Sequence, residues 1–221
     1  MLVRCCATLL AALLAPTASA TASAEEPVEK ERLVEEARAL VLKRDFAKAR
    51  PLLERAAALD AEDPAILSLL GRSQAATRQA ALAIPNLRKA LEKIPTDAPA
   101  AKALGGALRE RGDLRGAGRA LLLAGREGKD RDAALEAARI APEGDPETIY
   151  EGFRLATALG VSLTADDCVR QANAAVGMKR YDAADALLDK ALQPPGRLPR
   201  RPARRGAAIS PASTSPTRSS W

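Results

Sequence analysis

Side-chain catalysis needs a titratable or nucleophilic group held beside a partner, and this sequence offers few such arrangements. It contains no histidine, which removes Ser–His–Asp and Cys–His nucleophile pairs and every imidazole metal ligand. Cys168 stands alone, far along the chain from Cys5 and Cys6. The carboxylate pairs Glu35/Glu36 and Asp166/Asp167 have the residue types of glycosidase acids. Adjacent positions on a helix diverge in direction, however, so solvated faces or helix caps explain them better. The stretch GALRERGDLRGAG at 106–118 is rich in glycine but lacks the lysine pattern of a phosphate loop. Within it, RGD at Arg111–Asp113 could be an adhesion signal. Turn chemistry accounts for it more simply, with Gly112 ending one helix and Asp113 capping the next. No catalytic residue, metal ligand or cofactor emerges, and the chain reads as non-catalytic.

Charge says something about partners only once it is located. The 221 residues carry 34 basic and 28 acidic side chains, a net charge of +6 with a pI near 9.5. Gly196–Trp221 holds six arginines and no acid, and Arg4 stands near the other end. Taking those seven from the 34 leaves 27 basic residues against 28 acidic ones in the body. A basic pI ordinarily points to nucleic acid or an anionic surface, but here it belongs to the tail. That tail has one aromatic, Trp221, and hence no stacking series, so no specific nucleic-acid partner is expected.

The first residues have the plan of a secretory signal peptide. Arg4 supplies the positive start, Cys5–Ala15 is apolar, and small residues follow with ASA before two cleavage positions, after Ala20 and after Ala24. The apolar run is far short of the ~20 residues that span a bilayer, so no transmembrane segment is expected after cleavage. Cleavage removes Cys5 and Cys6 and leaves Cys168 without an internal disulfide partner. The expected location is the bacterial envelope, periplasmic or secreted.

The elements that must position any site are helices. Alanine and leucine dominate the apolar share while aromatics make up 2%, a balance that favours closely packed helices over sheet. A shift of 34 residues superimposes the body on itself. Ala49, Ala83 and Ala117 coincide, as do Leu53, Leu87 and Leu121, and Ala56, Ala90 and Ala124. Upstream, Ala37 aligns with Gly71 and Gly105, and Leu40 with Gln74 and Leu108. Ala184, Leu188 and Ala191 repeat the later spacing. Small and large residues keep separate slots, as they must if paired helices approach at the small positions and leucines fill the seam. Start signals agree: Asp63–Pro64 and Asp145–Pro146 put an N-cap residue before a proline, and Thr164 with Asp167 resembles a capping box.

This register resembles the tetratricopeptide repeat (TPR) family. In 64–97, Leu67, Leu70, Gly71 and Gln74 fall on the first-helix signature, and Ala83, Leu87, Ala90 and Pro95 on the second helix and its exit. Gln74 departs from the large apolar residue usual there. The resemblance implies an all-α solenoid of stacked antiparallel helix pairs in units 30–63, 64–97, 98–131, 132–164 and 165–195. A signal peptide at 1–24 precedes them, and a Pro/Arg/Ser tail at 196–221 follows. The fourth unit is degenerate: Pro142 and Gly144 break its first helix, and Tyr150 or Glu151 stands where its second needs a small residue. Cys168 takes the first-helix core slot of Leu33 and Leu67, which makes it a buried small apolar residue. Tyr181 takes the slot of Phe46. The tail has no apolar period and is expected to be disordered. It is either a flexible extension or the product of a frame shift near Pro194, where GC-rich codons would yield such residues.

The resemblance also implies a role. Relatives bind a protein or peptide on the concave surface lined by first helices, and their groove positions fall here on Arg38, Ser68, Arg72, Lys102, Arg109 and Asn173. Several are basic, which suits an acidic peptide or a terminal carboxylate. Arg72 and Gly106 stand where the carboxylate clamp of some relatives needs asparagine, so that particular role is not expected. An alternative is a structural element that self-associates through its C-terminal helix, whose Leu187, Leu188 and Leu192 would be uncovered. Pro51 and Pro85 share a slot about one turn into the second helix, and a mild bend or a late helix start is expected there.

Overall fold

The computed structural model describes residues 18–192. Most of the expected signal peptide, with Cys5 and Cys6, and the basic tail lie outside the described residues. Within them the chain forms α1 (Ala18–Leu42), α2 (Phe46–Leu59), α3 (Pro64–Ala76), α4 (Ala80–Lys93) and α5 (Ala98–Glu110). It continues as α6 (Leu114–Gly128), α7 (Arg131–Ile140), α8 (Pro146–Ala158), α9 (Ala165–Gly177) and α10 (Tyr181–Ala191). No strand occurs among the described residues, and the architecture is an all-α solenoid. Each odd helix packs on the even helix that follows, and each even helix on the next odd one. α1 runs through both expected cleavage positions and past Pro27.

One turn joins the helices of four of these pairs. Arg44, Arg78, Gly112 and Lys179 have φ of 60°, 63°, 79° and 59°, left-handed values that favour glycine. The following N–H reaches back five residues each time: Asp45 to the Leu40 carbonyl, Gln79 to Gln74, Asp113 to Leu108, Arg180 to Ala175. This closes the first helix and reverses the chain. Glycine fills the position once, and arginine or lysine three times.

The seam within each pair explains the small slot. A Cβ on Gly71 would lie 2.6 Å from Leu87 Cγ, and one on Gly105 would lie 2.6 Å from Leu121 Cγ. Ala37, Ala49, Leu53, Leu87 and Ala117 are all buried. Leu40 and Ala191 are half-buried. Leu188 is 39% exposed and Leu192 83%, so Leu188 departs from the packing role its slot suggested. No described helix follows α10 to cover that face. Gln74 is buried, and Asn86 donates to its Oε1 at 2.9 Å, so a polar pair replaces the usual apolar contact. Cys168 is 2% exposed, which leaves its thiol inert in the core.

Pro51 and Pro85 lie inside α2 and α4, each the sixth residue of its helix. The late start considered from the sequence does not occur, because both helices begin five residues earlier. Each ring leaves the carbonyl four residues back without its usual donor. Those carbonyls belong to Ala47 and Ala81, residues exposed to solvent, where an unfilled backbone acceptor is cheapest.

The fourth pair differs. α7 has 10 residues where α3, α5 and α9 have 13. The small residue of α8 is Gly152, where a Cβ would lie 2.9 Å from Ala138 Cβ, and neither Tyr150 nor Glu151 takes that place. First helices touch between α1 and α3 and between α3 and α5; at the fourth pair α6 packs against α8.

Candidate peptide-binding cleft

The N-caps of the three first helices α3, α5 and α7 are aspartates, and each does two jobs. Asp63 Oδ1 accepts from the Ala65 and Ile66 amides, while Oδ2 faces Lys30 Nζ at 3.5 Å. Asp97 Oδ1 accepts from Ala100 N at 3.0 Å, and Oδ2 from the Ser68 hydroxyl at 2.6 Å. Asp130 Oδ1 accepts from the amides of Asp132 and Ala133, and Oδ2 from Lys102 Nζ at 2.6 Å. One oxygen caps the helix; the other is bonded by the first helix of the preceding pair. Asp167, at the third position of α9, extends the series: it accepts from Arg139 Nε at 3.0 Å and Nη2 at 2.7 Å while closing the capping box with Thr164. Lys102, then the Ala133 amide, hold the Asp130 carboxyl below its ordinary value, and Arg139 does so for Asp167.

These brackets decide which groove candidates remain available. Ser68 is buried and committed to Asp97, so it is not a groove contact. Lys102 and Arg109 project from α5 but pair with Asp130 and Glu136. Arg38 lies near Glu35 on its own helix at 3.8 Å. Asn173 lines a different cleft of about 330 Å³ with Glu143 and Arg170, apart from the other candidates. Arg72, Lys102 and Arg109 do come together. They line an open cleft of about 380 Å³ between α3 and α5, with Phe46 from α2 and with Ala75, Ala76, Pro99, Ala103, Gly106 and Ala107. Among the described residues Arg72 is the cation of this cleft without an ion pair.

The helical path matches solved structures. It is similar to YrrB, described as a TPR protein with an unusual peptide-binding site, at 20% identity over 77% of this chain and 89% of that one, with a TM-score of 0.54. A MamA AMB-1 structure matches at 17% identity over 74% and 97%, with a TM-score of 0.53. Another MamA structure matches at 20% over 74% and 90%, with a TM-score of 0.52. The fold is that of the tetratricopeptide-repeat proteins. No family model matches the sequence, and no curated protein is significantly similar to it.

Within the TPR frame the cleft lies on the first helices of adjacent units, and α3 and α5 supply most of its lining. Among the described residues the cleft combines an apolar floor, the Arg72 guanidinium without an ion pair, and Lys102 and Arg109, which carboxylates neutralise. No cluster of three metal-ligating residues exists among the described residues, and no described helix is long and apolar enough to cross a membrane. Phe46 and Glu110 join the lining without having been among the groove candidates, and Gly106, named only for the asparagine it replaces, lines it too. The signal for Gly106 was present, because the TPR period places it in the slot of Arg72.

Proposed function

We infer that the chain is an exported, non-catalytic scaffold that binds a protein or peptide partner in the cleft between α3 and α5. The observation that carries this is Arg72, an unpaired cation beside an apolar floor on the first-helix face. Such a surface suits a segment offering a carboxylate and an apolar side chain. The peptide-binding site ascribed to YrrB supports the same reading, since that protein shares the fold. Export is inferred from the leader: Arg4, the apolar run at Cys5–Ala15, and the two ASA sites.

Affinity capture from envelope extract tests the reading, with wild-type chain beside the Arg72→Glu/Lys102→Glu double variant. A partner retained by the wild type and lost by the variant supports it. A partner retained equally by both removes the cleft as the binding surface. Fractionation with N-terminal sequencing tests export, which an intact leader on a cytoplasmic chain would overturn.

Self-association through α10 is a second reading, favoured by the exposure of Leu188 and Leu192. Size-exclusion with light scattering separates the two: a monomer at high concentration rules out end-to-end stacking.

A further inference from the structure

The space in the cleft has a local cause. The slot occupied by Arg38 and Arg72 falls, one period later, on Gly106 in α5. A glycine inside a helix commonly serves close packing, as at Gly71 and Gly105, where a Cβ would lie 2.6 Å from a leucine Cγ. At Gly106 a Cβ would meet no atom within 4 Å. Packing therefore supplies no reason for a residue that weakens a helix relative to alanine. What the glycine leaves is room on the cleft wall, beside Ala103 and Ala107 and across from Ala75 and Arg72.

The charges around that room are unequal. Lys102 and Arg109 are neutralised by Asp130 and Glu136, and Glu110 faces Arg78 at 3.5 Å. Arg72 is left to seek an anion. We propose that Gly106 is a specificity-determining position that admits a bulky apolar side chain of a partner peptide, whose neighbouring carboxylate pairs with Arg72. This rests on the peptide-binding reading above and adds the class of peptide.

Selection of peptides from a random display library on the full chain tests it. The expected consensus places a large apolar residue next to Asp or Glu. Gly106→Ala should weaken those peptides about tenfold or more, because a methyl group enters the space they need. The same change should raise the melting temperature by about 2–4 °C, which also shows that the variant is folded. Consensus peptides that bind Gly106→Ala as well as wild type overturn the role of Gly106 while leaving peptide binding in place. A consensus lacking the acid, or peptides indifferent to Arg72→Gln, overturns the pairing with Arg72. No enrichment at all defeats the peptide-binding reading as well. A concentration-dependent dimer abolished by Gly106→Ala would make the occupant a second copy and overturn the peptide assignment.

Discussion

Ser68 donates its hydroxyl to Asp97 at 2.6 Å, so the first helix of one repeat holds the carboxylate that caps the first helix of the next. Removing either end has unequal consequences. Ser68→Ala deletes one bond to a charged acceptor and should cost about 1–2 kcal/mol. Asp97→Ala deletes the cap as well and should cost more, about 2–3 kcal/mol. In the double variant the two costs should fall short of their sum, since they share a bond. Urea denaturation of the four proteins measures this, and strict additivity would show that the bond does not couple the repeats.

The shared left-handed turn position makes a prediction of opposite sign. Arg44 holds φ of 60° with a side chain that disfavours it, whereas Gly112 holds 79° freely. Arg44→Gly should therefore stabilise by up to about 1 kcal/mol, and Gly112→Ala should destabilise by about 1 kcal/mol. Both are read as shifts in the denaturation midpoint at constant slope.

The seam glycines should not tolerate a methyl group. Gly71→Ala drives a Cβ to 2.6 Å from Leu87 Cγ, an overpacking that costs about 1–3 kcal/mol despite alanine's better helix propensity. Gly105→Ala should behave alike against Leu121. A stabilised Gly71→Ala variant would refute the account of the small slot.

Acid should loosen the brackets. Asp130 and Asp167 have folded values lowered from an ordinary 3.8, chiefly by bonds from Lys102 and Arg139. A carboxylate depressed on folding contributes fully above its unfolded value, and that contribution is lost as pH falls through the folded one. Melting temperature should be level from neutrality to about pH 4 and then fall. Asp167→Asn should lower the plateau and flatten part of the decline. An unchanged acid profile in that variant would remove Asp167 from the cause.

The fold was legible because packing writes itself into the sequence at a fixed interval. Gly71 and Gly105 had to be small where Leu87 and Leu121 had to be large, and a 34-residue shift exposes both. The cleft was legible only in part. Periodicity assigns Ser68 and Lys102 to a slot, but each partner is the N-cap acid of the next unit, 29 and 28 residues on. Slot alone therefore says nothing of whether a side chain is free. Asn173 keeps the slot of Arg72 and Gly106, as the ninth residue of its helix, yet it lines another cleft further along the solenoid, with Pro146 and Ile149 of α8. The small contact of α8 falls on Gly152, the seventh residue of its helix, where Ala83 and Ala117 are the fourth of theirs.

The two-oxygen aspartates also bear on mechanics. A chain of paired helices joined only by short turns would stretch under tension with each pair giving way independently. Here the joints before α3, α5, α7 and α9 are riveted by a carboxylate that is also part of the next helix's end. Tension sufficient to part Ser68 from Asp97 also disturbs the first turn of α5, so extension and fraying begin at the same atoms. The solenoid should thus yield at its joints in discrete steps, and acid should reduce the force needed for each.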